Sequence, residues 1–501
     1  MKRISIFLGL IAVITALFWN ELNVHSLNSS PAKLSIGKTI VTADDPSYLV
    51  PVENFLNANG WRNNLDGSFS YYMRPPGYSV VYLAFRSWLT EKHALNALKL
   101  FQVLLFGLSI SVLFLLFQEL NVRKNISLLL ISFYACGGIG IGFLYYTLTE
   151  AITPSLLIFT FYFLIRAKNT RIGKTKRAFY FYSFLLFGFL FITRPVLGIF
   201  ALPFPFFIFW DDFFTLKKKV QYFFFLLILG FGPMLIWQTR AYQISGEIVG
   251  LHPIYSVENL QTPYRPVHQA FWEFAKSWGE KGDDFHSYTD EFWATSHKNA
   301  LDTSSVLIIL KKIPKSVVQE LGDKRLKKAF ESYRLAILEQ RQFVSEIKVI
   351  PEANFKNELD AINQFNELKN EYRKNHFWTY HFVEPIRVFK ELTFHSNLSL
   401  NLFQNTWRGN FLMEFWRYTC AFFHLSFFLI LPLTFFLKSI TRETKIIVVS
   451  TMVYIFYLVY FQRGIEERYS LPILPLLILN FGIVVQPIWT KYFKKTTPEI
   501  R

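Results

Sequence analysis

The chain has 501 residues, of which 52% are hydrophobic and only 18% are charged. Soluble domains carry roughly 25% charged residues, so this composition excludes disordered and fibrous proteins and favours a chain embedded in lipid. The net charge of +17 does not indicate nucleic-acid binding, because the long polar stretch 238–417 holds 23 basic and 22 acidic residues and the excess lies among the apolar segments. Both cysteines lie within apolar runs, which excludes a disulfide framework.

Ten apolar segments approach the roughly 20 residues that a helix needs to cross a bilayer. In chain order they are 4–20, 94–117, 126–145, 147–165, 179–192, 195–210, 221–237, 418–437, 446–461 and 469–489. The sequence therefore predicts an all-α polytopic membrane protein of about ten transmembrane helices. No small-residue cleavage site follows the first segment, so we expect it to remain as an uncleaved anchor.

Three parts follow from this pattern. Residues 1–237 form an N-terminal membrane domain, which includes a first outer loop, 21–93, with amphipathic pieces. Residues 238–417 are predicted to be a mostly helical extracytoplasmic insertion, and 418–501 return to the membrane. Within the insertion, apolar residues recur at three- and four-residue spacing on both sides of Pro351, which predicts a helical hairpin.

Basic residues set the expected orientation. With the N-terminus in the cytoplasm, the cytoplasmic ends and loops hold 20 Lys and Arg residues, whereas the opposite short loops hold three, Arg194, Arg463 and Arg468. This asymmetry follows the positive-inside rule. We therefore expect both termini in the cytoplasm, the insertion outside it, and a bacterial inner membrane as the location.

Ionisable residues collect at the predicted outer ends of the spans. They are Asp44, Asp45 and Arg74 in the first outer loop, Glu150 at the start of the fourth span, Arg194, Arg240, and the run Glu466, Glu467 and Arg468. An ionisable side chain in a membrane costs roughly 2.5–3.5 kcal/mol at the centre and by default indicates function. Simpler roles are also open: interfacial snorkelling for Glu150, helix capping for the aspartates, and lipid headgroup binding for the arginines.

Short motifs in the same places carry a family resemblance. Asp44–Tyr48, Asn59–Trp61 and Arg74–Tyr78 resemble the first periplasmic loop of GT-C glycosyltransferases, and are most similar to protein O-mannosyltransferase and aminoarabinose-transferase-like enzymes of glycosyltransferase family 39. The resemblance continues in chain order at Thr149–Ala151, Thr193–Pro195, Pro233–Trp237 and Glu467–Pro475. The chain departs from the pattern at Asp45, where relatives often have Glu, and in the insertion, which matches no relative.

The resemblance implies a GT-C fold and a transferase that moves a hexosyl or pentosyl unit from a polyprenyl-phosphate donor to an acceptor hydroxyl outside the cytoplasm. The acceptor would be a glycan, a glycolipid or a protein, with membrane lipids as the other partners. Asp44 is the expected general base with Asp45 as the second choice, and Glu150 would orient the acceptor or a divalent cation, the one cofactor left open. The residues expected at the donor and its phosphate are Arg74, Tyr78, Arg194, Arg240, Glu467, Arg468 and Tyr469.

Two other functions fit a membrane protein of this size, namely a secondary transporter or flippase and a polymerase of lipid-linked glycans. Transporters place their sites near the membrane midplane, often between repeats. Here the charged residues gather at one predicted face and the two halves show no repeat, which favours the transferase over a transporter. A polymerase would be expected to lack the motifs at Asp44–Tyr48 and Arg468–Pro475.

The expected orientation can be tested with reporter fusions. A reporter enzyme that works only in the cytoplasm should be inactive when it is fused at Ser304 and active when it is fused after Arg501. The reverse pattern would contradict the orientation on which the grouping of the candidate site residues depends.

Overall fold

The computed structural model describes residues 2–27, 33–42, 44–65, 68–70, 74–245, 266–298, 303–345, 355–394, 409–463 and 467–493. The architecture is helical, with a short antiparallel hairpin between β1 (Asn63–Leu65) and β2 (Ser68–Ser70) in the first loop. The first helices are α1 (Lys2–Ser26), α2 (Asp45–Leu56), α3 (Gly77–Arg86), α4 (Glu91–Glu119), α5 (Lys124–Cys136), α6 (Thr153–Asn169), α7 (Gly173–Thr193), α8 (Pro203–Phe209), α9 (Leu216–Leu226) and α10 (Gly232–Ser245).

The insertion and the C-terminal part continue the helical pattern. Their helices are α11 (Pro266–Lys276), α12 (Phe285–Lys298), α13 (Ser304–Lys312), α14 (Lys315–Leu321), α15 (Asp323–Ser345), α16 (Lys356–Asn375), α17 (Glu384–Phe394), α18 (Phe411–Leu429), α19 (Leu433–Phe436), α20 (Arg442–Phe456) and α21 (Leu474–Phe493). A π-helical turn, Tyr457–Gln462, extends α20, and a 3₁₀ turn, Glu467–Ile473, leads into α21.

The prediction of a polytopic all-α membrane protein is confirmed. Among the described residues, six helical stretches are long and apolar enough to cross a membrane: Lys2–Ser26, Glu91–Glu119, Gly173–Thr193, Leu216–Gln243, Arg442–Gln462 and Arg468–Pro487. Shorter apolar helices lie at Lys124–Cys136 and Pro195–Phe209. The two remaining predicted spans coincide with α6 and α18, so all ten segments correspond to helical structure.

Glycine and proline shorten some of the predicted spans. The third was expected to continue to residue 145, but α5 ends at Cys136, where Gly137 and Gly138 follow and Gly138 takes the left-handed φ of 87°. The sixth is divided into a 3₁₀ turn, Pro195–Ala201, and α8, which begins at Pro203. Proline has no N–H to donate to the preceding turn, so a regular helix cannot run through this position unbroken.

The inserted helices α11–α16 have a hydrophobic core of their own. The rings of Phe271, Phe330 and Phe365 meet at its centre, with centroids 4.9–5.3 Å apart. The helices α15 and α16 lie where the apolar spacing predicts them, and Pro351 lies outside the described residues. Gln340, the polar residue that interrupts the apolar pattern, is buried and donates to the buried Glu358 over 3.1 Å.

Helix α17 joins the insertion to the membrane helices. On one side, both terminal nitrogens of Arg387 donate to Asp283 over 2.8 Å. On the other side, Val388 and Leu392 are buried in the core formed by the membrane helices, and the carbonyl of Thr393 accepts a 2.8 Å hydrogen bond from the buried His424 of α18. The insertion is therefore attached by specific side-chain contacts.

Close helix packing at Gly188 generates a stability prediction. A Cβ added to Gly188 in α7 would lie 2.1 Å from the backbone oxygen of Leu229, whereas nothing lies within 4 Å of one added to Gly232. The Gly188→Ala variant should lose about 1–3 kcal/mol of stability because the two backbones must separate. Gly232→Ala should be neutral or slightly stabilising, since alanine favours the helix. The thermal unfolding midpoints of the two variants would be measured in detergent. Equal midpoints would contradict the close packing at Gly188.

Candidate active site: a shared ion-pair cluster

Backbone pairing brings the two candidate carboxylates to the same place. Ile40 forms an isolated parallel bridge with Tyr146, and its N–H donates to the carbonyl of Tyr145 over 2.9 Å. The chain then reaches Asp44 four residues after Ile40, and Glu150 four residues after Tyr146. The pairing therefore holds the start of α2 beside the 3₁₀ turn Thr149–Ala151 that precedes α6.

Asp44 accepts hydrogen bonds from arginines of two distant segments. Arg74 Nη2 donates to Oδ1 over 2.5 Å, and Arg468 Nη2 donates to Oδ2 over 2.6 Å. Asp44 precedes α2 but makes no side-chain capping bond to it, so capping does not account for this carboxylate. Its side chain is 21% exposed, which leaves one edge open to solvent or to a ligand.

Glu150 is enclosed by arginines and nearly inaccessible. Arg194 Nη1 lies 2.6 Å and Arg468 Nε 3.4 Å from Oε1, and the Glu150 side chain is 2% exposed. Thr149 completes the group, because its hydroxyl accepts from Arg194 and donates to Glu150 Oε2, both over 3.0 Å. Arg468 contacts both Asp44 and Glu150, so it connects the two carboxylates into one cluster.

The ion-pair cluster, defined as Asp44, Arg74, Glu150, Arg194 and Arg468, contains three guanidinium groups and two carboxylates. Its formal charge is therefore +1 when all five groups are ionised. A partly buried site with this surplus attracts an anion, and the planar guanidinium group suits a phosphate in particular.

A close backbone contact positions two of these arginines. Gly77 begins α3, and a Cβ at this position would lie 2.6 Å from the backbone nitrogen of Thr193. Only glycine permits this approach, which places the segment after Arg74 against the end of α7 just before Arg194. The Arg-Pro-Pro-Gly-Tyr stretch noted in the sequence thus contains a packing requirement at its glycine.

Asp45 and Tyr78 have structural partners and do not join the ion-pair cluster. Thr42 donates to Asp45 from its backbone N–H over 3.2 Å and from its hydroxyl over 2.7 Å. Burial raises the pKa of the Asp45 carboxyl above its ordinary value, although hydrogen bonds from Thr147 and Thr42 act in the opposite direction. Tyr78 is fully buried and its hydroxyl donates to Gln102 over 2.7 Å. Direct contact of Tyr78 with a donor is therefore not supported.

Of the remaining predicted residues, Tyr469 lies beside the ion-pair cluster and Arg240 does not. Tyr469 lies beside the cluster, with its ring centroid 5.1 Å from the guanidinium carbon of Arg194. Arg240 stacks over Trp237 and donates to the carbonyl of Trp61 over 2.7 Å, so its described contacts lie outside the ion-pair cluster. The side chain of Glu467 and the whole of Glu466 lie outside the described residues.

Sequence reasoning missed two side chains around the cluster. Tyr48 is buried, accepts a 2.8 Å hydrogen bond from Arg74 and lies under its guanidinium group at 4.9 Å. The hydroxyl of Tyr454 donates to the carbonyl of Tyr469 over 2.9 Å and so supports the turn that carries Arg468. Tyr48 falls in a motif with the acidic pair, so its position was visible, whereas nothing in the sequence singles out Tyr454 among 25 tyrosines.

Metal binding has no support from the described part of the chain. There, no group of three or more His, Cys, Asp or Glu side chains is arranged to hold a metal ion. In the ion-pair cluster the groups closest to Asp44 and Glu150 are guanidinium groups, which occupy the positions that a cation would need.

Comparison with known proteins gives a weak structural likeness. No family model and no curated protein matches the chain. Among solved structures, the chain is similar to ArnT from Cupriavidus metallidurans in the apo state, with a TM-score of 0.34 and 9% identity over 93% of this chain and 78% of that one. The same protein bound to undecaprenyl phosphate gives a TM-score of 0.34 and 10% identity over 97% and 81% of the two chains. At so low an identity and TM-score the comparison assigns no role to any residue, and the roles proposed below are argued from the contacts within this chain.

The burial of Glu150 generates a stability prediction. Removing one partner of a buried ion pair costs about 3–5 kcal/mol, because the other charge stays buried and uncompensated. The Glu150→Gln variant should therefore lower the thermal unfolding midpoint in detergent substantially. Glu53 in α2, which pairs with Arg86 at 2.8 Å and is about one-third exposed, is the matched control. Glu53→Gln should cost no more than about 1 kcal/mol, and a similar loss in both variants would contradict the enclosed cluster.

Proposed function

We propose that the chain is a glycosyltransferase that moves a sugar from a polyprenyl-phosphate donor to an acceptor hydroxyl at the extracytoplasmic face of a membrane. The observation that carries the proposal is the ion-pair cluster at one end of the membrane helices, in which an accessible carboxylate lies among three arginines. The motifs that resemble GT-C glycosyltransferases fall on the same residues.

The charge of the cluster supports a phosphate-linked donor. An arginine held by a carboxylate can exchange that partner for a phosphate oxygen when a donor binds, since both anions accept paired hydrogen bonds from the guanidinium fork. Arg74 and Arg468 are the candidates, because they are the two arginines bonded to the partly exposed Asp44. Arg194 is bonded to the enclosed Glu150 and would keep that carboxylate in place.

Exposure separates the roles of the acidic residues. A general base must come within hydrogen-bond reach of the proton that it removes, and Asp44 is the more accessible of the two carboxylates in the cluster. Each Asp44 oxygen accepts one described arginine bond, so each keeps further acceptor capacity. We assign the base role to Asp44, a positioning role to Glu150, and a structural role in the loop to Asp45.

The proposed reaction follows from these assignments. The acceptor oxygen forms a bond to the anomeric carbon of the sugar while its proton passes to Asp44. The bond between that carbon and the phosphate oxygen breaks, and the polyprenyl phosphate leaves with the electron pair. Arg74 and Arg468 stabilise the negative charge that grows on the phosphate, an interaction stronger in the transition state than in the bound donor.

Substitution of Asp44 tests the base role. Asp44→Asn keeps the shape of the side chain but cannot accept the proton, so turnover should fall by about 10²-fold or more. Mass spectrometry would monitor the release of polyprenyl phosphate by the purified full-length protein. A membrane extract would supply the polyprenyl-phosphate sugars and the acceptors.

Glu53→Gln, in the helix α2 that follows Asp44, is the control and should keep full activity. Comparing envelope glycans and glycolipids with and without the gene would identify the sugar and the acceptor. Full transfer activity in the Asp44→Asn, Asp45→Asn double variant would overturn the mechanism. Uptake or flipping of a substrate without any release of polyprenyl phosphate would instead indicate a transporter.

A further inference from the structure

An apolar groove lies between the insertion and the end of a membrane helix, apart from the ion-pair cluster. Its volume is about 530 Å³. Phe382, Pro385 and Ile386 form one wall at the start of α17, and Phe456, Val459 and Tyr460 form the other at the end of α20. The second wall belongs to a stretch that is long and apolar enough to span a membrane, which makes membrane lipid the expected neighbour of this wall.

Two arginines share one tyrosine ring, that of Tyr380, directly beside the groove-lining residues His381 and Tyr460. The guanidinium carbons of Arg463 and Arg373 lie 3.5 Å and 4.3 Å from the ring centroid of Tyr380. Arg463 donates from Nη2 to the carbonyl of Tyr380 and from Nε to that of Tyr460, both over 2.8 Å. Its Nη1 is buried and has no hydrogen-bond partner among the described residues.

Among the described residues these two charges have no ion-pair partner of their own, since Glu384 acts on Arg463 only from beyond ion-pair distance and is itself paired with Arg387 over 2.8 Å. Neither Arg463 nor Arg373 lies within ion-pair distance of a carboxylate in that part of the chain. Other interfacial arginines are paired, as Arg417 is with Glu414 over 2.6 Å. His381, whose ring contacts the Tyr460 hydroxyl, does not supply an anion either. Two unpaired cations against one ring repel each other, so an added anion would stabilise the arrangement.

The backbone around the groove departs from regular helix on both walls. Tyr457–Gln462 and Thr379–Val383 are π-helical turns, a form that is rare and frequent at functional sites. Arg463, directly after the first turn, has a left-handed φ of 55°, which costs energy for a residue with a Cβ. This backbone aims the guanidinium group back over Tyr380 and away from the continuing chain.

We propose that the groove binds an anionic phospholipid of the membrane, with an acyl chain between the apolar walls and the phosphate on Arg463 and Arg373. The apolar walls suit an acyl chain, and the adjacent membrane helix places the groove next to the bilayer from which the lipid would come. The two arginines without an ion-pair partner favour a lipid whose headgroup is anionic. The site differs from the ion-pair cluster in all its residues, and its existence does not depend on sugar transfer.

A tryptophan beside the groove allows a direct test. Trp378 is 71% exposed, and its ring centroid lies 5.0 Å from that of Phe382. The full-length protein would be reconstituted in phosphatidylcholine vesicles that contain increasing fractions of brominated phosphatidylglycerol or brominated phosphatidylcholine, because bromine quenches a tryptophan that it contacts. Subtracting the signal of the Trp378→Phe variant isolates the emission of Trp378.

We expect brominated phosphatidylglycerol to quench Trp378 at a several-fold lower fraction than brominated phosphatidylcholine. Arg463→Gln should raise the half-quenching fraction of the anionic lipid about fivefold, the effect of losing one cation near a lipid phosphate. Arg463→Lys, which keeps the charge, should retain most of the preference, and Arg417→Gln, whose arginine is already paired, should retain all of it.

Equal quenching by the two lipids in the unmodified protein would overturn the proposal without reference to any variant. An unchanged preference in a folded Arg463→Gln protein would overturn it as well, since the anion would then bind elsewhere. Neither result bears on the Asp44 mechanism, because the measurement involves no transfer reaction.

Discussion

The contact of Arg468 with both Asp44 and Glu150 is the interaction on which the site depends. It joins the first loop, the entry to α6 and the entry to α21, whose residues Asp44, Glu150 and Arg468 are successively 106 and 318 positions apart in the sequence. Desolvating such charges costs several kcal/mol per ion, and this cost is recovered only when each charge has good partners. A shift of any one of these segments breaks at least one contact of Arg468 and changes the charge balance of the cluster, so the cluster favours one arrangement of the loop and the helices.

A second buried ion pair between the membrane helices offers a comparison with the cluster around Asp44. At the opposite end of α7 from Arg194, Lys176 contacts Asp211 over 2.6 Å, and Tyr180 donates to the same carboxylate oxygen over 3.0 Å. Both charged side chains are at most 4% exposed. This pair has one cation for one anion and is closed to solvent, whereas the cluster around Asp44 has a surplus cation and an exposed edge. That difference, and not burial alone, distinguishes a candidate site from a structural pair.

Apolar run length was enough to predict the helical membrane architecture, because a spanning helix must satisfy its backbone internally whatever its neighbours. The ends of helices were less predictable, as the early end of α5 at Cys136 shows, since they depend on local glycine and proline conformation. The orientation argument grouped Asp44, Glu150, Arg194 and Arg468 at one end without giving their partners. Asp44 and Asp45 could not be separated, because successive side chains at a helix start point in directions about 100° apart and only tertiary contacts decide which one faces the arginines. The sequence predicted nothing for Arg463 beyond a positive charge in a short outer loop, since the stacking of an arginine on Tyr380 has no signature in sequence.

The attachment through α17 has a consequence for how such a protein diverges. Helices α11–α16 enclose a core of their own, and α17 links that core to the membrane helices through Arg387 on one side and Val388 and Leu392 on the other. Selection can therefore alter or exchange the inserted helices with little effect on the packing beneath them, provided that the joint is kept. The packing of the membrane helices could then stay the same across a lineage while the inserted helices change in sequence and length.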